Sequence, residues 1–413
     1  MPRTVHVIGA GLAGLAAAVR LAAAETGVVV HEAAGQAGGR CRSYHDPVLD
    51  MVIDNGNHLL LSGNRAALDY LETIGARSHL VGPRAAEFAF IDLASGERWT
   101  LRINPGRLPW WILDRSRRVP GTKAREYLAF ARLLVASERK TIGDTLRCAG
   151  PLYERLARPL LLAALNTEPK EASAALAGAV VRETLATGGA ACRPLIARDG
   201  LGPAFIEPAL HFLAERNAKI LFGHRLRALD YVQDKVAALD FGEDKLAISG
   251  DGVILAVPPP VAADLVPGLE TPTQFHAIVN AHFRLAPPAA LAPITGVVNG
   301  TIEWLFSFPD RLSVTISGAD RLLDVPRETL ARTIWEEVAT VAGLPKALPP
   351  WQIVRERRAT FAATPDENAR RPGARTAWGN LVLAGDWTRT GLPATIEGAV
   401  RSGNRAADLI SRI

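Results

Sequence analysis

The sequence predicts an α/β fold with a parallel sheet at its centre, and three stretches carry that expectation. An apolar strand, a glycine turn and an Ala/Leu-rich helix follow one another at residues 5–24. A second strand, Val28-Val29-Val30-His31, ends in Glu32. A third, Asn380 to Ala384, runs into Gly385-Asp386 and is followed by a helical stretch.

The first stretch reads Val5-His6-Val7-Ile8, then Gly9-Ala10-Gly11-Leu12-Ala13-Gly14, then Leu15 to Ala24. Gly9 is expected to make the tight turn. Gly11 lets backbone approach a pyrophosphate, and Gly14 lets the helix pack on the strand. The helix start, at Leu12 and Ala13, offers free N–H groups and partial positive charge to phosphates. Glu32 lies about 20 residues further on, where an acid accepts hydrogen bonds from a ribose diol, with Ala33 beside it. Strand, turn, helix and acid together predict a dinucleotide site.

Six positions past Glu32 comes Gly38-Gly39-Arg40-Cys41-Arg42-Ser43. It resembles the extension that follows the nucleotide motif in glutathione-reductase-type flavoproteins, above all the amine oxidase and phytoene desaturase branch. That resemblance implies FAD. Two glycines admit close approach, and Arg40 adds charge to a pyrophosphate cradle. The implied fold is a Rossmann-like FAD-binding domain of glutathione-reductase type with an inserted α+β substrate domain. Residues 1–80, 195–262 and 375–413 would form the first, and residues 81–194 and 263–374 the second, which would bind substrate and face a membrane.

Length and composition agree with two domains, at 413 residues and 48% hydrophobic. Mean hydropathy is +0.10. No apolar run approaches the roughly 20 residues that span a bilayer. The apolar start belongs to the nucleotide strand and helix, so it is not read as a signal peptide. Cys41, Cys148 and Cys192 are scattered, with no metal-ligand spacing. A reducing cytoplasm is the expected location, with peripheral contact to the cytoplasmic membrane. Net charge +5 suits an anionic cofactor or membrane face. Nothing matches a nucleic-acid motif.

Along the chain, Met51 to Ile53 is a short strand leading into Asp54-Asn55-Gly56-Asn57-His58-Leu59-Leu60-Leu61. In the resembling flavoproteins a related turn lies close to the flavin ring, which makes Gly56, Asn57 and His58 site candidates. His58 is otherwise a satisfied turn histidine. A helix is expected over 65–74 and a hairpin over 88–103. Between Pro105 and Arg118, Trp110 and Trp111 sit among arginines. Trp favours the headgroup level and Arg anionic lipid, so the stretch is either a membrane contact or a core-packing loop with a basic rim. Helices are expected over 124–136, 152–165 with a bend at Pro159, 171–185 and 204–215. They would cap a substrate cavity. Lys219 to Leu226, Val236 to Phe241 and Lys245 to Ser249 read as an antiparallel meander, and by resemblance the backbone near Leu226 faces the adenine. Strands at 275–285, 294–298, 301–308 and 313–317 form a second sheet, followed by a helix from Pro326 to Ala342 stopped by Gly343.

The closing segment resembles the Gly-Asp motif and last helix of the FAD family. Asp386, after Gly385, would bond the ribityl chain. Ala394, Thr395 and Ile396, at the helix start, would sit by the flavin pyrimidine edge. A helix N-terminus there stabilises the anionic reduced ring, typically by about 0.3–1 kcal/mol.

The 54–61 turn, Ala163 to Pro169 and Gly391 to Ala399, read with the modest length, resemble the squalene-associated FAD-dependent desaturase group, the hydroxysqualene dehydroxylases. The implied reaction is reductive removal of an allylic hydroxyl from a C30 isoprenoid to give squalene, in squalene and hopanoid biosynthesis. Protonation and loss of water would give an allylic cation, quenched by hydride from reduced FAD. His58 is the expected proton donor or hydroxyl anchor, with Asp54 as second candidate. Glu303 is expected to be a solvent-facing strand residue. Squalene-pathway synthases are expected partners. The competing readings are a carotenoid desaturase, a flavin amine oxidase, a non-catalytic FAD-binding membrane adaptor and an NAD-dependent enzyme. The 6% aromatic content shows no evident cage for an amine.

Overall fold

A computed structural model describes residues 4–413. At its centre lies a parallel five-stranded sheet. Its spatial order is Lys219–Leu221, Gly27–His31, Thr4–Ile8, Gly252–Leu255 and Leu381–Leu383. Thr4–Ile8 holds the middle position, so both its faces are covered and Val5, His6, Val7 and Ile8 are all buried. Gly9 turns the chain out of this strand with φ +106°, and a Cβ there would lie 2.5 Å from the Ala256 carbonyl oxygen. Only glycine fits both demands. The helix Leu12–Ala23 and the closing helix Ile396–Ile410 pack backbone to backbone. A Cβ on Gly403 would stand 2.2 Å from the Ala13 carbonyl oxygen.

A second sheet of seven strands comes from the middle of the chain. Its order is Trp351–Phe361, Phe275–Arg284, Arg311–Ile316, Trp304–Ser307, Ile294–Val298, Ala86–Asp92 and Arg98–Ile103. Only the pairing of Ile294–Val298 with Ala86–Asp92 is parallel. Alternation sorts its residues. Val279, Ala281, Phe283, Leu312, Val314 and Ile316 face the helix Arg327–Ala342 in one core cluster. Asn280, Ser313 and Thr315 are on the opposite face, toward the nucleotide-binding half. Helical segments between 124 and 183 cover other parts of this unit.

Several elements differ from the sequence expectation. Lys219–Leu221 leaves the meander and adds a parallel strand beside Gly27–His31, because it follows the helix Glu207–Glu215 as a crossover strand. The meander is Ala228–Val232, Lys235–Asp240 and Lys245–Ala247. The expected helix over 124–136 is α-helical only at Ala124–Tyr127 and tightens into a 3₁₀ segment, Leu128–Val135. That segment brings the Leu133 carbonyl against Gly178, where a Cβ would be 2.1 Å away. Pro159 does not split its helix. A π-type turn, Tyr153–Ala157, precedes it, and the proline falls in the first turn of Arg158–Leu165, where no N–H is required. The strand Trp351–Phe361 has no counterpart in the sequence reading. It is an edge strand carrying Arg355, Glu356, Arg357 and Arg358, and charge at an edge hides the period-2 signal. No helix among the described residues is long and apolar enough to cross a membrane.

Gly403→Val should lower stability by about 1–3 kcal/mol through overpacking of the two helices. Denaturant unfolding checks this, and an unchanged midpoint would contradict the close crossing.

Candidate active site

The turn after the first strand meets the Gly38-Gly39 turn directly. Gly11 and Gly38 form an isolated parallel bridge, and the Gly38 N–H donates to the Ala10 carbonyl at 2.8 Å. Gly38 and Gly39 both have positive φ, and a Cβ on Gly39 would sit 3.4 Å from the Gly11 Cα. The two turns therefore make one floor without side chains. The Leu12–Ala23 helix begins above it with neither a side-chain cap nor an acid in its first turn. Its leading N–H groups, including those of Ala13 and Gly14, have no side chain of their own segment to satisfy them.

Glu32 closes the far side of this floor. Its carboxylate accepts from the Ala10 N–H at 2.7 Å and the Ala34 N–H at 2.8 Å, across Ala33. The Glu32 carbonyl accepts from His224 N–H, and the Ala34 carbonyl accepts from Gly223 N–H. This brings the chain leading to Leu226 beside Glu32. Leu226 itself is buried in the core behind the meander.

Arg40 donates to both Asp386 oxygens, at 2.8 and 2.7 Å, and to the Ala359 carbonyl. The charge of Asp386 holds the Arg40 guanidinium above its ordinary pKa. Asp386 follows Gly385, whose φ is +143° and whose N–H donates to Ser402 Oγ in the closing helix. Beneath this turn lies Arg371, with 0% exposure. Its guanidinium donates to the carbonyls of Asp386 at 3.0 Å and Thr388 at 2.5 Å, and to Thr390 Oγ1 at 2.9 Å. Burial lowers its pKa to about 10, so it stays charged at neutral pH. Sequence reasoning missed Arg371, which lies outside every motif.

After Ala394, Thr395 caps the closing helix by accepting the Gly398 N–H at 3.0 Å, which leaves Ile396 at its first position. Glu397 reaches away to the N–H groups of Ala66 and Ala67, tying this helix start to the helix Arg65–Thr73.

The amide-rich turn docks on the second sheet. Asn57 Nδ2 donates to Thr315 Oγ1 at 3.1 Å, and its N–H to Asn280 Oδ1 at 3.4 Å. Asn280 Nδ2 donates to the Asn55 carbonyl, and a Cβ on Gly56 would meet that same nitrogen at 3.0 Å. Asn57 Oδ1 is buried and has no donor among the described residues. His58 follows, with its pKa lowered to about 4 by burial and then by the charge of Arg40, against the pull of Asp386. It is thus neutral at pH 7 and cannot act as an imidazolium there. Asp54 is buried and already engaged. It accepts from Ser43 Oγ at 2.5 Å and Leu201 N–H at 2.8 Å, with Arg311 at 3.7 Å. Burial raises its pKa. Its carboxyl ties the turn to the rest of the fold.

Two further expectations are corrected. Trp111 is only 5% exposed and packs edge-on against Tyr127 at 5.1 Å, so of the tryptophan pair only Trp110 faces outward. Glu303 does not face solvent. It is 8% exposed, because the chain just before Trp304–Ser307 turns its carboxyl onto the Ser317 N–H at 2.8 Å.

A glycine floor, uncapped helix N–H groups, an acid at the end of the second strand, the Arg40–Asp386 pair and an acceptor without a donor at Asn57 are donor and acceptor sets that fit FAD. The chain belongs to the flavin-containing amine oxidoreductase family, whose model matches residues 12–411. FAD is its cofactor, and it is an FAD-dependent oxidoreductase. It is 62% identical to a hydroxysqualene dehydroxylase of Rhodopseudomonas palustris over 99% of both chains. It is 57% identical to a protein of the same name from Sinorhizobium fredii, over 99% of this chain and 98% of the other. In fold it is similar to a putrescine oxidase variant, with TM-score 0.73 and 18% identity over 99% of each chain. Cyclohexylamine oxidase of Brevibacterium oxydans gives TM-score 0.70 and 16% identity over 100% of this chain and 99% of that one.

The pKa shifts give stability a direction with pH. His6, His31, His58 and His282 are all lowered by burial, His31 and His282 to about 3. Between pH 6.5 and 4 the unfolded chain binds these protons and the native chain does not, so stability falls as pH falls. The raised carboxyls, Asp54 and Glu303, work the other way, and four imidazoles outweigh two acids. The melting temperature should therefore hold down to about pH 6.5 and decline steadily toward pH 4. A flat profile across that window would contradict these buried neutral imidazoles.

Proposed function

We propose that this protein is a hydroxysqualene dehydroxylase, removing the allylic hydroxyl of hydroxysqualene to give squalene. The 62% identity to the Rhodopseudomonas palustris protein, over 99% of both chains, carries this reading. Reduced FAD supplies the hydride in such a reaction. The chain's own residues bind, orient and exclude water. In this reading Gly9, Gly11, Leu12, Ala13, Gly14, Gly38, Gly39 and Arg40 hold the pyrophosphate. Glu32, Ala33 and Leu226 hold the adenosine, and Gly56, Asn57, Gly385, Asp386, Ala394, Thr395 and Ile396 hold the flavin and its ribityl chain. His58, neutral, anchors the substrate hydroxyl as a hydrogen-bond partner. Two sheets drawn from alternating parts of the chain support the division into residues 1–80, 195–262 and 375–413 against 81–194 and 263–374.

A C30 hydrocarbon needs an apolar wall, and one begins next to His58. Leu59 and Leu61 pack on a cluster that contains Phe90, Trp99, Trp304, Phe306 and Phe308. Few aromatics are present, but the fold gathers these into one place.

The substrate comes from a bilayer, and the surface supports contact with one. Leu108, Trp110, Leu113, Leu128 and Val135 are 62–87% exposed, five large apolar side chains within 28 residues. The inward Trp111–Tyr127 contact holds the two segments that carry them together. Arg107, Arg115, Lys123, Arg125 and Arg132 stand exposed among them. Near an anionic leaflet each basic side chain contributes roughly 1 kcal/mol. This surface fits a peripheral position on a cytoplasmic membrane, from which a squalene-pathway synthase would pass its product.

The function is tested anaerobically. Photoreduced enzyme given hydroxysqualene should yield squalene as the flavin reoxidises, and His58→Ala should lower turnover at least tenfold. Flavin that stays reduced without product, or is reduced instead by a carotenoid precursor or an amine, would overturn the reading. In vesicle flotation, the protein should bind phosphatidylcholine vesicles containing phosphatidylglycerol and bind neutral ones weakly. A Trp110→Glu, Leu128→Glu double variant should lose at least tenfold in binding. Equal binding by variant and wild type would remove this surface from the interface.

A further inference from the structure

Removal of a hydroxyl as water requires a proton at the leaving oxygen, and the expected donors do not hold one in usable form. His58 is neutral at pH 7, and the Asp54 carboxyl is engaged by Ser43, Leu201 and Arg311. Glu303 is buried without an ion pair among the described residues. Its partners come from Ser317 alone, chiefly the N–H at 2.8 Å. A buried carboxyl so lightly held costs stability and ties no elements that the strand pairing has not already joined.

Its position makes that cost intelligible. Thr315, which receives the Asn57 side chain, and Ser317, whose N–H holds Glu303, are two residues apart, at the end of the strand Arg311–Ile316 and just past it. Two residues of chain span at most about 7 Å. The Glu303 carboxyl is therefore anchored two residues along the chain from the residue that receives Asn57, the neighbour of His58. The next residue, Trp304, pairs with Thr315 and enters the apolar cluster shared with Leu59 and Leu61. Asn166 closes the opposite side, accepting the Gly318 N–H at 2.7 Å. Glu303 thus stands where the apolar wall, the amide turn and the helix Arg158–Leu165 meet.

We propose that Glu303 is the general acid of the dehydroxylation, an assignment that rests on the dehydroxylase reading. Its carboxyl proton passes to the substrate hydroxyl, the C–O bond breaks with its electron pair leaving on oxygen, and water departs. The allylic carbon accepts hydride from reduced FAD, which is oxidised by two electrons. The Glu303 carboxylate left behind faces the positive charge that develops on carbon, and regains its proton from solvent. The charged groups facing it are Arg321 and Arg158, the latter paired with Glu168. Burial outweighs both and lifts the carboxyl to about 7, so it is mostly protonated below neutral pH. Turnover that depends on the protonated form falls as pH rises through that value.

Glu303→Gln is the test, because its amide oxygen still accepts the Ser317 N–H and FAD content reports the fold. The variant should retain flavin and bind hydroxysqualene with unchanged affinity, yet lose about 100-fold or more in turnover, with Glu303→Asp partly restoring it. The alkaline fall of the wild-type rate near pH 7 should vanish in the Gln variant. A readout independent of turnover is infrared titration of the protein without substrate. A protonated-carboxyl band should disappear as pH rises through about 7 and be missing in Glu303→Gln. Wild-type turnover matched by Glu303→Gln, or a band unchanged by the substitution, overturns the Glu303 assignment alone. Wild-type enzyme that makes no squalene overturns the dehydroxylase reading and this one with it.

Discussion

Arg40 and Asp386 lie 346 positions apart in the chain and share two hydrogen bonds below 3 Å. The rest of the site depends on that ion pair. One partner ends the glycine floor built by the first strand, and the other begins the turn before the closing helix. Arg371 fixes this turn from beneath by donating to three of its residues. A buried guanidinium is costly unless its donors are satisfied, and here carbonyls and a hydroxyl of one turn satisfy them. Arg371 thereby joins residues 386, 388 and 390, with Arg40 and Ser402 holding the same turn from other sides.

A second constraint is the contact of the 54–58 turn with the second sheet. Asn55 and Asn57 bond to Asn280 and Thr315, which are joined to each other, in one set of polar links at 2.8–3.4 Å. Such a network favours one relative placement, since any slip would leave buried amides unpaired. It sets His58 beside Arg40 on one side and the aromatic cluster on the other. Polar turn, neutral imidazole, buried acid and apolar wall then occupy one region, which suits chemistry on a single hydroxyl of a long hydrocarbon.

The nucleotide half was legible from residue order. Gly9, Gly14, Glu32 and Gly385-Asp386 are local signals, each needing only its neighbours to be read, because tight turns and helix starts are set by backbone geometry. The edge strand Trp351–Phe361 was not legible, since four consecutive charged residues interrupt its alternation and its pairing partner is some 75 residues away. Lys219–Leu221 was read as a strand but given the wrong neighbour, a matter of long-range pairing. Trp110 and Trp111 looked equivalent in sequence, and only packing on Tyr127 separates the inward ring from the outward one.

By itself, then, the sequence determined the glycine floor and the closing Gly-Asp turn, because these follow from conformations that few residues adopt, while its resemblance to flavoproteins implied the cofactor. Tertiary structure decided which ionisable groups hold protons. Burial shifts a pKa through desolvation, and desolvation depends on what distant segments cover. Glu303, charged and unremarkable in sequence, is lifted to about 7 by burial, against the pull of the Ser317 hydrogen bonds and of Arg321 and Arg158. His58, the natural proton donor on paper, becomes a neutral imidazole through burial and the charge of Arg40.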